Sequence, residues 1–422
     1  MNENLILKTL HIKPFLFLVL AEFFSMFAMN LLNFALLLVV FSISKSNAAV
    51  AGVIMAFTIP NIIFGILAGV MVDRWNKKNV LFLTNILRAF FVLPLAFFNT
   101  NLALVYFFTF CVSTITQFFI PAETPIIPLL VRKDLLLSAN ALFGMGIYAS
   151  TLLAYALSGP FIYIFGKTNI FFFLFVIFLI AGFFISLIRA SKSKIEPKIN
   201  KDEILGFREE AKIVLKLISK TKSLYHALFS LTLTQIIILV FAAIGPGYAS
   251  QILNIDIESF PIIFVTPAIL GVIVGAVTIG SFFHKTRKSR LTKVGLFIMG
   301  FATLLLPYGS KVESRSFIQL LNYYLPHLLT LNILHIMVVL AFILGVAIAF
   351  VFIPANTTLQ EEASDQSRGK IYGFLNTFFG IVSIIPVLLV GGLADIFGVK
   401  IILTGIGIVV LSIALIRTIM RE

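Results

Sequence analysis

The chain has 422 residues, of which 60% are apolar and only 12% charged, and its mean hydropathy is +1.07. That composition cannot cover a water-soluble surface, and it excludes disordered, fibrous and disulfide-rich classes as well, because the one cysteine, Cys111, can close no intrachain bridge. The net charge of +14 is distributed between apolar runs and forms no single patch, so nucleic acid is not an expected partner.

A membrane-crossing helix needs about 20 mostly apolar residues. Twelve such runs follow one another at 14–41, 48–72, 79–97, 102–122, 139–165, 169–189, 223–249, 260–283, 292–309, 331–354, 370–394 and 398–417. The first follows Lys8 and Lys13, is too long for a signal-peptide core and lacks a small-residue cleavage site, so it reads as an uncleaved first helix. Between the sixth and seventh runs, Ile204, Phe207, Ala211, Val214, Leu215 and Ile218 recur at helical spacing among Lys and Glu, the pattern of an amphipathic helix on the inner leaflet. The predicted fold is therefore an all-α membrane protein. Its two six-helix halves, 1–190 and 223–422, are joined by an amphipathic cytoplasmic linker, 191–222. A second polar excursion, 310–330, falls on the opposite side.

With the N-terminus in the cytoplasm, 26 of the 32 Lys and Arg residues lie in cytoplasmic segments. The positive-inside rule then puts both termini in the cytoplasm, with the chain in the cytoplasmic (inner) membrane.

Ionisable residues inside a membrane are costly and mark function by default. Glu22 in helix 1 and Arg88 in helix 3 both lie roughly 12–15 Å in from the cytoplasmic side at 1.5 Å per residue. Equal depth predicts an ion pair, which either locks the N-terminal half together or has a coupling role. Asp73, Glu123, Asp134 and Asp395 are expected at span ends near water. Uncharged polar stripes run along helix 1 (Ser25, Met29, Asn33), helix 4 (Thr109, Ser113, Gln117), helix 5 (Tyr148, Thr151, Tyr155, Ser158) and helix 11 (Tyr372, Asn376, Ser383), with Gln235 in helix 7. Such faces avoid lipid and turn into helix packing or a cavity. Neither the five histidines nor Gly166-Lys167-Thr168 forms a metal or phosphate motif, so no metal or cofactor is expected, nor an enzyme.

The two halves also resemble each other. Phe119-Ile120-Pro121-Ala122 at the end of helix 4 recurs as Phe352-Ile353-Pro354-Ala355 at the end of helix 10, and Gly69 to Arg74 after helix 2 parallels Gly280 to Lys285 after helix 8. This places His284 opposite Asp73 in the repeat. Parallel six-helix repeats are a transporter architecture with a central site.

Gly69-Val70-Met71-Val72-Asp73-Arg74-Trp75-Asn76-Lys77-Lys78 resembles the G-x-x-x-D-R-x-G-R/K-R/K signature of the loop between helices 2 and 3 in the major facilitator superfamily. In that reading Gly69 permits close helix packing, Asp73 meets a helix N-terminus as a gate, and Arg74, Lys77 and Lys78 sit among headgroups. Asn76 stands where the motif has glycine and is expected to tolerate the left-handed conformation. The stretches 119–142 and 358–373 resemble the macrolide-efflux and siderophore-export branch. Half of the drug-antiporter signature of helix 5 is present as Gly146, Gly159 and Pro160, with Tyr155, Tyr163 and Ile164 replacing three glycines. The resemblance implies a cavity lined by helices 1, 4, 7 and 10, with 2, 5, 8 and 11 beside them. Met29, Asn33, Ser113, Gln117, Tyr148, Tyr155, Gln235, Tyr372 and Asn376 are its candidate lining residues.

The function expected from these features is secondary export of a hydrophobic or amphipathic, drug-like small molecule by proton antiport. The expected partners are that substrate, protons and membrane lipids, and the expected state is a monomer. Alternatives are lysolipid or lipid flipping or solute uptake on the same fold, or, in another class, a channel or a non-transporting membrane receptor.

Overall fold

A computed structural model describes residues 5–188, 221–283, 285–308, 319, 332–362 and 368–419. The regular elements among them are all helical. After a short helix, Leu5–Leu10, come α1 (Lys13–Ser44), α2 (Asn47–Arg74), α3 (Lys77–Phe98) and α4 (Leu102–Leu130). The next helical stretch, Leu136–Ser186, has 51 residues. At 1.5 Å per residue it would be about 75 Å long, more than twice the hydrocarbon thickness of a bilayer. Gly166, at φ 75 and ψ 170, breaks it into α5 (136–165) and α6 (167–186), in a conformation that side chains with a Cβ resist.

In the second half, α7 (Lys222–Tyr248) runs on through a π turn, Ala249–Leu253, and stops at Asn254 in the left-handed region. It is followed by α8 (Thr266–Phe282), α9 (Lys288–Leu305), α10 (Ile333–Glu362), α11 (Arg368–Phe397) and α12 (Val399–Ile419). Eleven stretches among the described residues are long and apolar enough to cross a membrane, and the break at Gly166 makes two spans of one of them. The fold is thus an all-α membrane fold of twelve helices in two six-helix bundles.

The chain divides into two compact units, 1–43 with 52–201 and 44–51 with 202–422. In the first, the buried face of α3 repeats every three or four residues as Leu81, Asn85, Arg88, Val92 and Leu95. Its core includes Phe15, Leu18, Leu81, Phe119 and Ile185, and Gly182 lets α6 close on Asn85 and Ile86. In the second unit, a Cβ at Gly345 of α10 would sit 1.8 Å from the carbonyl oxygen of Ala268, and one at Gly271 of α8 would sit 2.0 Å from that of Phe342. Backbone meets backbone at this crossing, as membrane helices do where small residues line a contact. The carboxylate of Asp395, near the end of α11, accepts hydrogen bonds from Ser46 Oγ (2.6 Å), Asn47 N (2.7 Å), Asn47 Nδ2 (2.8 Å) and Ala48 N (3.0 Å). It caps the first turn of α2, where unpaired N–H groups point outward.

The helices outrun the apolar runs at several ends. Helix α4 was expected to stop at 122 but continues through Pro121, Pro125 and Pro128 to Leu130. A proline fits helical φ and forfeits one backbone hydrogen bond, so it need not end a helix. Glu123 therefore lies within α4 and not at a water-facing span end. The amphipathic segment up to residue 220, the excursion at 310–330 and His284 lie outside the described residues, apart from residue 319.

Candidate functional site

Three helices of the first unit bring polar groups to one buried point. Spacings of three or four residues put Glu22 and Ser25 on one face of α1, Asn85 and Arg88 on one face of α3, and Phe119 and Glu123 on one face of α4. Glu22 is 2% exposed, and Ser25, Asn85 and Arg88 are completely buried. Arg88 Nη1 donates to Ser25 Oγ at 2.9 Å, Ser25 donates to Asn85 Oδ1 at 2.9 Å, and Asn85 Nδ2 donates to the carbonyl of Leu81 at 2.8 Å. The guanidinium lies 4.2 Å from the ring centre of Phe119 and 5.9 Å from that of Phe178, so aromatic faces hold part of its charge.

The expected ion pair is absent: no carboxylate among the described residues comes within salt-bridge distance of Arg88, and its hydrogen bond goes to Ser25 in place of Glu22. Shared depth fixes one coordinate only, and the rotation of each helix decides the partner. Glu22 instead meets Glu123, with the two carboxyls in hydrogen-bonding reach of each other. A hydrogen bond between two carboxyl groups requires a proton on one of them. Glu22 Oε1, Glu123 Oε2, Arg88 Nε and Arg88 Nη2 are all buried without a hydrogen-bond partner. Each such atom costs about 1–3 kcal/mol. Four in one cluster are hard to explain as stabilisation, since buried polar groups ordinarily have partners.

Glu123 had not been singled out as part of a site, because the apolar run was ended at 122 and Glu123 placed at a span end near water. Asn30 was also missed. It lies one turn or two along α1 from Ser25 and Glu22, off the expected stripe, and donates to Thr151 Oγ1 at 3.1 Å while its Oδ1 accepts from Tyr155 at 3.3 Å. An amide in an apolar run was the available signal.

The remaining lining candidates divide. Thr116 Oγ1 donates to the carbonyl of Val112 at 2.8 Å and lies 3.7 Å from the sulfur of buried Met29. Ser113 Oγ donates to the carbonyl of Phe57 at 2.8 Å, and Gln117 Nε2 donates to the carbonyl of Ser113 at 3.2 Å, so α4 is tied to α2 and both groups are buried. Asn33 Oδ1 is buried without a partner, Gln235 is half-buried, and Tyr148 is 79% exposed. The side chains of Tyr372 and Asn376 lie outside the described residues, as does that of Asp73. In the helix 5 motif, a Cβ at Gly146 would touch Val19 of α1 at 3.6 Å, Gly159 is buried, and Pro160 sits inside the helix.

The turn between α2 and α3 corrects two expectations. No described atom lies within 4 Å of a Cβ built on Gly69. Asn76 is extended, at φ −65 and ψ 114, and is the N-cap of α3, with its side chain accepting from Asn79 N at 3.2 Å. Arg74 is exposed, but Lys77 is buried and folds back onto the carbonyl of Val72, and Lys78 donates to the carbonyl of Ser186 at 3.0 Å. The two lysines thus close the carboxyl ends of α2 and α6, where cations are favoured, and are not simply held among headgroups.

Residues 18–387 match the Major Facilitator Superfamily. The MFS-type transporter YkuC of Bacillus subtilis is 28% identical over 182 residues, a match that spans 38% of this chain and 40% of that protein. Among solved structures, the nucleoside transporter NupG superposes with a TM-score of 0.76 at 12% identity, covering 97% of this chain and 99% of its own. The POT family transporter PepTSo does so with a TM-score of 0.66 at 16% identity, covering 96% and 97%. A bacterial homologue of the human lysosomal transporter Spinster gives 0.66 at 13% identity, covering 96% and 95%. At these identities the likeness establishes the fold alone.

Proposed function

The chain belongs to the Major Facilitator Superfamily and is a multi-pass membrane transporter with an alternating-access fold, and on that premise we propose that it exports a hydrophobic or amphipathic, drug-like small molecule in exchange for protons. The observation that carries the proton is the Glu22, Glu123 and Arg88 cluster. With one proton on its two carboxyls the cluster is neutral. Adding or withdrawing a proton leaves net charge in a dry interior, which is expensive unless the surroundings change. A rearrangement that opens the cluster to one side or the other can therefore load and release a proton, and Glu22, the more deeply buried acid, is the favoured carrier.

A lipophilic cargo is supported by the 46 phenylalanines and by the scarcity of charge within the spans. The residues proposed to meet the cargo are Met29, Asn33, Gln117 and Tyr155 in the half 1–190 and Gln235 in the half 223–422. The protein works as a monomer in the cytoplasmic membrane. Both termini face the cytoplasm, which is the side favoured by the distribution of basic residues.

The test uses purified protein in proteoliposomes with a panel of fluorescent lipophilic dyes. Movement of a dye should follow an imposed proton gradient and collapse with an uncoupler. Glu22→Gln should abolish gradient-driven accumulation while dye exchange continues. Full gradient-driven transport by Glu22→Gln would reject the assignment of Glu22, and indifference of the native protein to uncouplers would reject proton coupling.

A further inference from the structure

A groove of about 640 Å³ runs between α3 and α4, beside the turn that precedes α3, and includes neither Glu22 nor Arg88 nor Glu123 in its lining. Its volume falls in the range of small-ligand sites, roughly 300–1,000 Å³. One end is polar, formed by Arg74, Asn76 and Asn79. From Asn76 to Leu87 the groove follows α3 for about 16 Å at 1.5 Å per residue, which is one leaflet of a bilayer core of about 30 Å. Along that length the walls are apolar, with Leu83 54% exposed and Ile115 and Phe118 facing it from α4. The two hydroxyls in the walls demand nothing of a ligand, because Thr84 donates to the carbonyls of Val80 and Leu81 and Thr114 donates to that of Phe110.

Trp75 stands at the mouth, stacked on Phe118 at 6.1 Å and 46% exposed. Tryptophan favours the boundary between headgroups and hydrocarbon, so the polar end lies at headgroup level. Arg74 is exposed and makes no ion pair among the described residues. Asn76 uses its Oδ1 to cap α3, which leaves its amide N–H groups available.

We propose that this groove holds an anionic phospholipid of the adjoining leaflet, its phosphate on Arg74 with Asn76 and Asn79 and one acyl chain along Leu83, Leu87 and Phe118. Charge complementarity at the mouth and an apolar length matched to one leaflet select this occupant over a soluble anion or a fully apolar solute.

Trp75 is the one tryptophan of the chain and so reports on its own site. The protein is reconstituted in phosphatidylcholine nanodiscs containing equal small fractions of either dibromo-acyl phosphatidylglycerol or dibromo-acyl phosphatidylcholine. The bromines quench Trp75 in proportion to local occupancy. Phosphatidylglycerol should quench as though enriched about 5-fold, the factor that one basic side chain's attraction of about 1 kcal/mol gives. Arg74→Gln should abolish that preference, and Lys78→Gln, which alters a neighbouring cation outside the groove, should keep it. Thr114→Phe, which fills the apolar part, should reduce quenching by both lipids while leaving the emission maximum in place. Equal quenching by the two headgroups in the native protein would overturn the proposal. So would loss of the preference in Lys78→Gln as complete as in Arg74→Gln, since the attraction would then be diffuse. Displacement by lipophilic dyes with no headgroup preference would also overturn it, giving the groove to cargo.

Discussion

Replacing Arg88 with leucine isolates the energetics of the buried cluster. The substitution removes a charge-assisted hydrogen bond to Ser25, worth about 1.5–3 kcal/mol, and the contact with the face of Phe119, worth about 2 kcal/mol where water is excluded. Against this, Nε and Nη2 no longer have to be buried without partners, which returns about 1–3 kcal/mol for each. The two carboxyls, however, lose the only cation on the cluster's α3 face, and breaking one side of a buried charge group costs about 3–5 kcal/mol. The net expectation is a loss of about 4 kcal/mol for Arg88→Leu. Glu22→Gln should cost less than about 1 kcal/mol, because Arg88 and Glu123 remain as a balanced pair. Removing all three ionisable groups together, as Glu22→Gln with Glu123→Gln and Arg88→Leu, leaves no charge to bury and should recover at least about 2 kcal/mol relative to the sum of the single losses, since neighbours that share a network are not additive. Reversible unfolding in mixed micelles by increasing dodecyl sulfate, followed by Trp75 emission, measures the single and triple variants. Strict additivity, or a cost below about 1 kcal/mol for Arg88→Leu, would refute the coupling.

Gly345→Val should all but abolish the yield of monodisperse protein, because its Cβ would meet the backbone oxygen of Ala268, whereas Gly69→Ala should express as the native chain does; size-exclusion profiles of both give the comparison. Gly166→Ala should lower stability by about 1–2 kcal/mol, through the left-handed backbone at that break, and a thermal shift of the purified protein reads it directly. Asn76→Ala should cost about 1 kcal/mol as a lost N-cap, while Asn76→Gly, which the left-handed reading would favour, should give no stabilisation in the same assay.

The sequence made the spans legible because hydrocarbon imposes a length on every apolar run, and even the break inside the longest helix was placed within a few residues of Gly166. It was less informative about which polar groups meet. Glu22 and Arg88 could be put at one depth by counting residues, but depth says nothing about rotation, and Ser25 and Phe119 hold the guanidinium in place of the carboxylate. Glu123 was misplaced for a different reason: the apolar run was ended at 122, yet the three prolines that follow one another over eight residues are each compatible with helical φ and the helix continues to Leu130. At the turn before α3, a motif defined by residue types put Lys77 and Lys78 among headgroups and Asn76 in a left-handed turn. Their side chains are instead occupied in capping three different helix ends. Spacing cannot reveal such local competition between the backbone and solvent.

The crossing of α8 and α10 has a mechanical consequence. Gly271 of one helix and Gly345 of the other each receive the other's backbone, so at this point the pair fits together like two notched rods. A small slide in either direction would drive a carbonyl into a Cα. The next equally good fit lies a full turn away, about 5.4 Å, and packed elements of this kind shift between discrete seats more readily than they deform. Helices α8 and α10 therefore act as a single strut, and whatever bending the second bundle undergoes during a transport cycle must be taken up by its other helices.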